Sequence, residues 1–305
     1  VQLRHGKLHG ALLDNVGNIG REGNGFVPLI HTKYPQRNLF RSDYVGFNFE
    51  HVFNGVAEDE HRSGLTPRRD PCRLEVHSAH SASLHWPAED SAWDLACTMR
   101  YTLREEGAVD MAFTVTPTRE HFDLGYFVMM WASYMDRARD RTLYFWGHNG
   151  QEEGWVAFGD DWAQGTVACY GAPPLPHEPE ASDLNLSVHE TEQFILPFYY
   201  GLMDGDGCED TTDDTMAYIM MFDQSETIRF AMWNWGRDGD GQPDRTLPAW
   251  DWQFILREPE MGKTYGYRAR LLYKPFVGRE DVLQEYRRWA AEAGKPERRD
   301  GDKRE

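Results

Sequence analysis

Residues 94–134, DLACTMRYTLREEGAVDMAFTVTPTREHFDLGYFVMMWASY, decide how this chain folds. From 95 to 103 apolar side chains alternate with polar or small ones, and the alternation returns from 108 to 116. A period of two predicts two half-buried β-strands, because successive side chains of a strand point to opposite faces of a sheet. Between them, Arg-Glu-Glu-Gly ends in Gly107, which suits the positive φ of a hairpin loop. The third segment, 124–134, is apolar on both faces and therefore predicts a strand covered by a second layer.

Strand patterns of this kind recur along most of the chain, and we count about a dozen. One helix is predicted at 279–293, where Val282, Leu283, Tyr286 and Trp289 form an apolar stripe at helical spacing; the charged tail 295–305 follows it. This content predicts an all-β fold, a large antiparallel β-sandwich of two sheets with one C-terminal helix. Strands continue beyond the proline-rich segment 171–186, so we expect a single domain over 1–305.

The charge balance restricts the partners of the chain. It has 32 Lys and Arg against 50 Asp and Glu, a formal net charge of −18. This acidic balance argues against nucleic acid or an anionic membrane as the main partner. An apolar run of membrane length and a signal peptide at Val1 are both missing from the sequence, and its location stays open. Four widely spaced cysteines without a CxxC pair exclude zinc-ribbon and thioredoxin motifs.

The aromatic content is high, with 11 Trp, 14 Tyr and 16 Phe, and it has two interpretations. The rings could simply fill a core. Many Trp and Tyr residues stand beside polar residues, however, as they do in platforms on which sugars stack.

Two stretches carry a resemblance to a known architecture. The hairpin at 94–116 has paired alternating strands around a polar turn, and 258–273, EPEMGKTYGYRARLLY, is a closing turn and strand. Both are similar to the galactose-mutarotase-like supersandwich, which aldose epimerases share with domains of glycoside hydrolases and polysaccharide lyases. The resemblance implies a concave sheet face that binds a mono- or oligosaccharide. The epimerase catalytic His is not visible here: after the hairpin the chain has Trp131 and Tyr134, and the strand before the closing turn has Asp251 and Gln253.

The segment 39–54, LFRSDYVGFNFEHVFN, collects groups that sugar chemistry needs. Arg41 is a cation, Asn48 an amide, Glu50 a carboxylate and His51 an imidazole. Glu50 and His51 are adjacent, so they point to opposite faces of a strand unless a β-bulge intervenes. If Asn48 and Glu50 face the cleft, Glu50 is the acid/base candidate and His51 is a hydrogen-bonded core imidazole. A purely structural strand explains the pattern equally well.

Two more candidates stand at strand ends. His148 follows the aromatic strand 143–146 in His-Asn-Gly, and its imidazole is suited to a general acid because it titrates near neutrality. The plainer interpretation is a turn histidine. Tyr200 ends an apolar strand, where it either binds substrate or packs.

A second set of polar residues lies on two predicted strands near the C-terminus. Arg229 and Trp233 share a face of one strand, and Asp251 and Gln253 share a face of another. Together they would form a sugar cleft in which Arg229 holds an acidic substituent. A structural Arg–Asp ion pair is the alternative.

The loop 238–244, DGDGQPD, resembles the start of a calcium loop, with oxygen ligands at every second position: Asp238, Asp240, Gln242 and Asp244. It lacks the glutamate and the flanking helices of an EF-hand, so hairpin turn chemistry is the default interpretation. Asp204-Gly-Asp-Gly is a weaker version of the pattern. We therefore expect no required cofactor and treat Ca²⁺ as optional.

The sequence favours a carbohydrate-active enzyme that cleaves or epimerises a sugar by acid/base catalysis in a concave cleft, similar to a glycoside hydrolase. Glu50, His51 and His148 are the acid/base candidates. The predicted substrate-binding residues are Arg41, Asn48, Trp131, Tyr200, Arg229, Trp233 and Asp251. A non-catalytic sugar-binding module, a polysaccharide lyase and a structural protein with an aromatic core are the alternatives.

Overall fold

A computed structural model describes residues 1–15, 23–57, 66–120, 122–159, 164–181, 188–206, 214–234, 236–237, 240–242 and 244–294. These residues form eighteen strands: β1 Gln2–His5, β2 Leu8–Leu13, β3 Gly25–His31, β4 Asn48–Phe53, β5 Arg73–Ser78, β6 Ser81–Trp86, β7 Leu95–Leu103, β8 Ala108–Pro117, β9 Tyr126–Ala132, β10 Leu143–His148, β11 Glu153–Phe158, β12 Gly165–Ala168, β13 Gln193–Phe194, β14 Phe198–Met203, β15 Met216–Phe222, β16 Ile228–Trp233, β17 Ala249–Arg257 and β18 Tyr265–Pro275. The helices are α1, Thr66–Arg69, a 3₁₀ turn at Ala88–Asp90, and α2, Arg279–Glu292.

Two large antiparallel sheets face each other and enclose the main core, which confirms the predicted all-β sandwich. The ten-stranded sheet has the order β11-β10-β14-β15-β18-β8-β7-β6-β5, with β13 paired to β10, and the five-stranded sheet has the order β12-β16-β17-β9-β4. A separate three-stranded sheet, β1-β2-β3, contains the N-terminal strands.

The hairpin at 94–116 lies inside the ten-stranded sheet. Strands β7 and β8 pair antiparallel, with Met99 opposite Phe113. The alternating apolar residues of β7 are buried, as predicted. Gly107 has a φ of +99°, which is the left-handed conformation expected of it.

Strand β9 leaves that sheet and joins the five-stranded one. All seven of its residues are buried, as its apolar character on both faces predicts. On one face Trp131 packs in the main core, and on the other Tyr126 and Val128 pack against Leu175 and Ala181 of the proline-rich segment. That segment therefore covers part of a sheet face.

The predicted helix is confirmed at Arg279–Glu292. Its apolar stripe is buried and packs on the far side of the ten-stranded sheet, against Phe198, Tyr200 and Ile219 among others. Within the described residues, no helix is both long and apolar enough to cross a membrane.

Candidate active site

Polar side chains converge on one face of the five-stranded sheet, the face turned away from the ten-stranded sheet, which we call the outer face. Asn48 lies opposite Ala132 on β9, and Asp251 lies opposite Ala231 on β16. Opposite residues share a face, and the inner positions between them hold core rings such as Trp252. The buried polar residues of the outer face are Asn48, Glu50, Thr166, Arg229, Asp251 and Gln253. Such burial requires hydrogen bonds, ion pairs or a ligand.

A β-bulge brings Glu50 and His51 to the same face. The register of β4 on β9 shifts between Phe49 and His51, and His51 then lies opposite Met130. The extra residue interrupts the alternation that a regular strand imposes on neighbouring side chains. Glu50 is only 2% exposed, whereas His51 is half-buried. The arrangement with His51 as a core imidazole is therefore not the one that the structure adopts.

Glu50 is held by Tyr134, which the sequence analysis named without assigning it a role, and by Arg68, which it did not single out. The Tyr134 hydroxyl donates to both carboxylate oxygens at 2.9 Å, and Arg68 of α1 forms an ion pair with Oε1. Burial raises the pKa of Glu50, while the Arg68 charge and the Tyr134 hydrogen bond oppose that rise. Arg68 stands in a stretch that reads as a surface loop, so no local pattern indicated its role.

Asp251 is a second buried carboxyl group on this face, 1% exposed. Its Oδ1 accepts a hydrogen bond from the Ser133 backbone N–H at 2.9 Å. Its Oδ2 has no hydrogen-bond partner among the described residues. Burial raises the pKa of Asp251 well above its ordinary value, and the negative charge of Glu50 raises it further. Burial thus favours the protonated form of both carboxyl groups, and at Glu50 a neighbouring cation and a hydroxyl donor oppose that effect.

Aromatic rings border this carboxyl pair. Tyr134, Ala132 and Ala249 form a buried cluster against which Tyr44 and Trp233 pack while remaining partly exposed. The Tyr44 and Tyr134 ring centroids lie 4.7 Å apart. Partly exposed Tyr and Trp rings beside carboxyl groups are suited to stacking on a sugar.

Arg41 is tied to this border through its backbone. Its N–H donates to the Tyr134 carbonyl at 2.9 Å. Its guanidinium pairs with Asp43 through two hydrogen bonds of 2.8 Å. The predicted binding role of Arg41 stays a prediction.

Arg229 of β16 lies on the outer face, diagonal to Asp251 of β17. It is opposite Gln253 and only 2% exposed. Within the described structure it forms no ion pair with Asp251, so the alternative of a structural Arg–Asp pair does not apply. Burial, together with the nearby Arg257 charge, lowers its pKa to about 10.

Three predicted residues lie away from the outer face. Trp131 is stacked in the core between Phe49 at 4.7 Å and Trp252 at 5.7 Å, so neither ring face is open to a ligand. Tyr200 packs on the helix side of the ten-stranded sheet, where its hydroxyl accepts from Arg279 at 3.2 Å. His148 is in the β10–β11 hairpin, where its Nδ1 accepts from the Gly150 N–H at 3.2 Å.

The predicted calcium loop is only partly described, because Asp238 lies outside the described residues. Asp244 Oδ1 accepts from the backbone and the hydroxyl of Thr246 at 2.8 and 2.7 Å, which is turn chemistry. Elsewhere, one ligand atom each from Asp204, Asp206 and Asp214 lie within 4.8 Å of one another, and Arg139 pairs with Asp214. Calcium binding at 238–244 stays a prediction, which thermal unfolding with millimolar calcium or a chelator would test.

The chain was compared with known families, curated proteins and solved structures. No protein-family model matches it, and no curated protein matches its sequence. Among solved structures it is similar to a putative aldose 1-epimerase from Escherichia coli K12, with a TM-score of 0.50 and 11% identity over 90% of this chain and 98% of that one. It is also similar to a 4-alpha-glucanotransferase from Thermococcus litoralis, with a TM-score of 0.48 and 7% identity over 90% and 37% of the two chains. A third similar structure is the galactose 1-epimerase from Lactobacillus acidophilus NCFM, at a TM-score of 0.44 and 7% identity over 89% and 92%.

The first of these likenesses is one of fold. It shows that the chain shares the overall β-sandwich fold of that structure, which agrees with the fold that the sequence resemblance implies.

Proposed function

We propose that this protein is an enzyme that acts on a sugar by acid/base catalysis, with Glu50 and Asp251 as the groups that accept and donate the protons. The observation that carries the proposal is the pair of buried carboxyl groups with raised pKa values on one sheet face. Buried groups with strongly shifted pKa values occur more often in catalytic sites than elsewhere in a protein. The fold supports the proposal only by analogy.

The environments of the two carboxyl groups suggest different roles. Burial raises the pKa of Glu50, but Arg68 and Tyr134 act in the opposite direction and favour the ionised form, which suits a base. Burial and the Glu50 charge raise the pKa of Asp251 and so favour its protonated form, which suits an acid. In an anomeric interconversion, Glu50 would take the proton of the anomeric hydroxyl while Asp251 gives its proton to the ring oxygen. The bond between C1 and the ring oxygen then breaks, and reclosure on the other face returns both protons.

His51 is the second candidate for a proton-transfer group. The bulge places it on the outer face, and its half-buried ring is more exposed than Glu50. An imidazole titrates near neutrality without any help from its surroundings. We therefore expect His51 to assist one of the carboxyl groups or to replace it.

The test combines two kinds of substrate. Polarimetry of freshly dissolved aldoses measures interconversion of anomers, and aryl glycosides and oligosaccharides measure cleavage or formation of unsaturated products. We expect Glu50→Gln and Asp251→Asn each to lower the rate by at least about 100-fold. Glu260→Gln is the matched control, since Glu260 is an exposed carboxylate paired with Lys263 in the turn before β18. Full activity in both site variants would remove the proposal.

A sugar-binding protein without turnover is the second candidate. The depth of the carboxyl groups favours it, because Glu50 and Asp251 are 2% and 1% exposed. A catalytic group must reach the proton that it moves. Saturable binding of a sugar without product, unchanged by Asp251→Asn, would support this candidate.

A further inference from the structure

Arg229 is a buried cation without a counter-charge in the described part of the chain. It is 2% exposed, and its Nη1 has no hydrogen-bond partner among the residues that the structure describes. The charge that most affects it is the like charge of Arg257, whose guanidinium donates to the Pro173 carbonyl at 2.8 Å. Tyr126, the other group acting on it, donates its hydroxyl hydrogen to the Pro176 carbonyl at 2.7 Å.

Such an arrangement is costly unless something else neutralises it. Removing an ion from water costs several kcal/mol even after the surroundings relax, and a folded protein normally recovers that cost through a paired opposite charge. Arg229 lies beside the acidic candidates of the outer face and yet pairs with neither Glu50 nor Asp251. The described residues thus supply no counter-charge to Arg229, and an anionic ligand at the outer face would provide one.

The sheet register places Arg229 within reach of a ligand at the carboxyl pair. Asp251 is opposite Ala231, and Arg229 is two residues from Ala231 on the same strand face. Diagonal neighbours of this kind lie about 7–8 Å apart, a span comparable with a single sugar ring and its exocyclic group. Ala231, opposite Asp251, and Gln253, opposite Arg229, border the interval, and Ala231 contributes only a methyl group to it.

We propose that Arg229 binds the anionic substituent of an acidic sugar, a carboxylate or a phosphate, while the anomeric end of the sugar faces Asp251 and Glu50. The orientation of the sugar, with its anomeric end at the carboxyl pair, rests on the proposed function. A guanidinium suits the role because its planar donors match the oxygens of carboxylate and phosphate groups.

Binding of three probes to the full chain tests the assignment: D-glucose, D-glucuronate and D-glucose 6-phosphate. Thermal unfolding and tryptophan fluorescence report binding without requiring turnover. We expect at least one acidic sugar to bind about tenfold or more tightly than glucose and to raise the unfolding temperature, whereas glucose has little effect. The two acidic probes distinguish a carboxylate site from a phosphate site.

Variants connect the preference to Arg229. In Arg229→Met the preference should fall to within about twofold, and the ligand-free variant should unfold at a higher temperature than the parent, because an uncompensated buried charge has been removed. Arg229→Gln is the second variant if the first folds poorly. Arg100→Met is the matched control, since Arg100 is exposed on the ten-stranded sheet, and it should keep the full preference.

The outcomes separate this assignment from the proposed function. Equal binding of glucose and both acidic sugars, binding of none of the three, or a preference that survives in the Arg229 variants would overturn the assignment, whatever the enzyme does. An acidic sugar that binds through Arg229 but gives no product would sustain it and count against the proposed catalysis.

Discussion

Replacing Tyr134 with Phe tests how the protein controls the charge of Glu50. The substitution removes one hydroxyl, which donates to both oxygens of Glu50 at 2.9 Å, and keeps the ring that packs against Tyr44. A hydrogen bond to a charged group contributes about 1.5–3 kcal/mol. Since one pH unit corresponds to about 1.4 kcal/mol, losing it should raise the pKa of Glu50 by about one to two pH units.

The expected result has two readouts. Urea unfolding near neutral pH should show a loss of about 1.5–3 kcal/mol, which becomes smaller as falling pH protonates Glu50 in both proteins. If Glu50 is the base, the acidic limb of the rate profile against pH should move upward by about one to two pH units.

Tyr126→Phe is the matched control for this test. Tyr126 is also buried on the outer face, but its hydroxyl donates to the neutral Pro176 carbonyl at 2.7 Å. Tyr126→Phe should lower the free energy of unfolding by about 1 kcal/mol and leave the rate profile against pH unchanged. If Tyr134→Phe behaves in the same way as the control, the hydroxyl does not stabilise an ionised Glu50 and the reasoning is refuted.

Three further predictions follow from burial and packing. Asp251→Asn should be more stable than the parent at alkaline pH, and its advantage should shrink as the pH falls towards the ordinary pKa of an aspartate. Because the pKa of Asp251 is raised in the folded protein, the parent loses stability as rising pH ionises this carboxyl group more readily in the unfolded chain; equal pH dependence of unfolding in the two proteins would contradict this. Gly201→Ala should lower the free energy of unfolding by about 1–3 kcal/mol, because the added Cβ would lie 2.2 Å from the Trp250 ring. Gly154→Ala is the control, since a Cβ at Gly154 meets open space, and denaturant midpoints of the two variants measure the difference. Trp131→Ala should lower the free energy of unfolding by about 3–5 kcal/mol, because it leaves a cavity in the core. A loss below about 1 kcal/mol by the same measurement would show that the ring is not packed as described.

Several site residues were predicted because residue type and alternation are local properties. Asn48, Glu50, Arg229, Trp233 and Asp251 were each assigned to a polar strand face, and the structure places them on one outer face. The sequence analysis brought Arg229, Trp233 and Asp251 together, but it could not predict that Asn48 and Glu50 join them, because alternation says which residues share a face of one strand and nothing about which strands become neighbours.

The partners of these residues were missed for the same reason. Arg68 reaches Glu50 from a four-residue helix in a stretch of turn-rich sequence, and the bulge at Glu50 depends on the register against β9. Trp131 was expected to bind substrate because the local sequence does not distinguish a tryptophan in a core from one on which a sugar stacks.

The amino-acid order by itself determined the strands, the hairpin at Gly107, the C-terminal helix and the need for a second layer over β9. These features follow from steric preferences and from apolar periods that act over a few residues. Only the tertiary structure decided that two carboxyl groups and an arginine from distant strands are buried together. Burial and charge coupling depend on what covers a side chain, and that covering comes from segments far away in the chain.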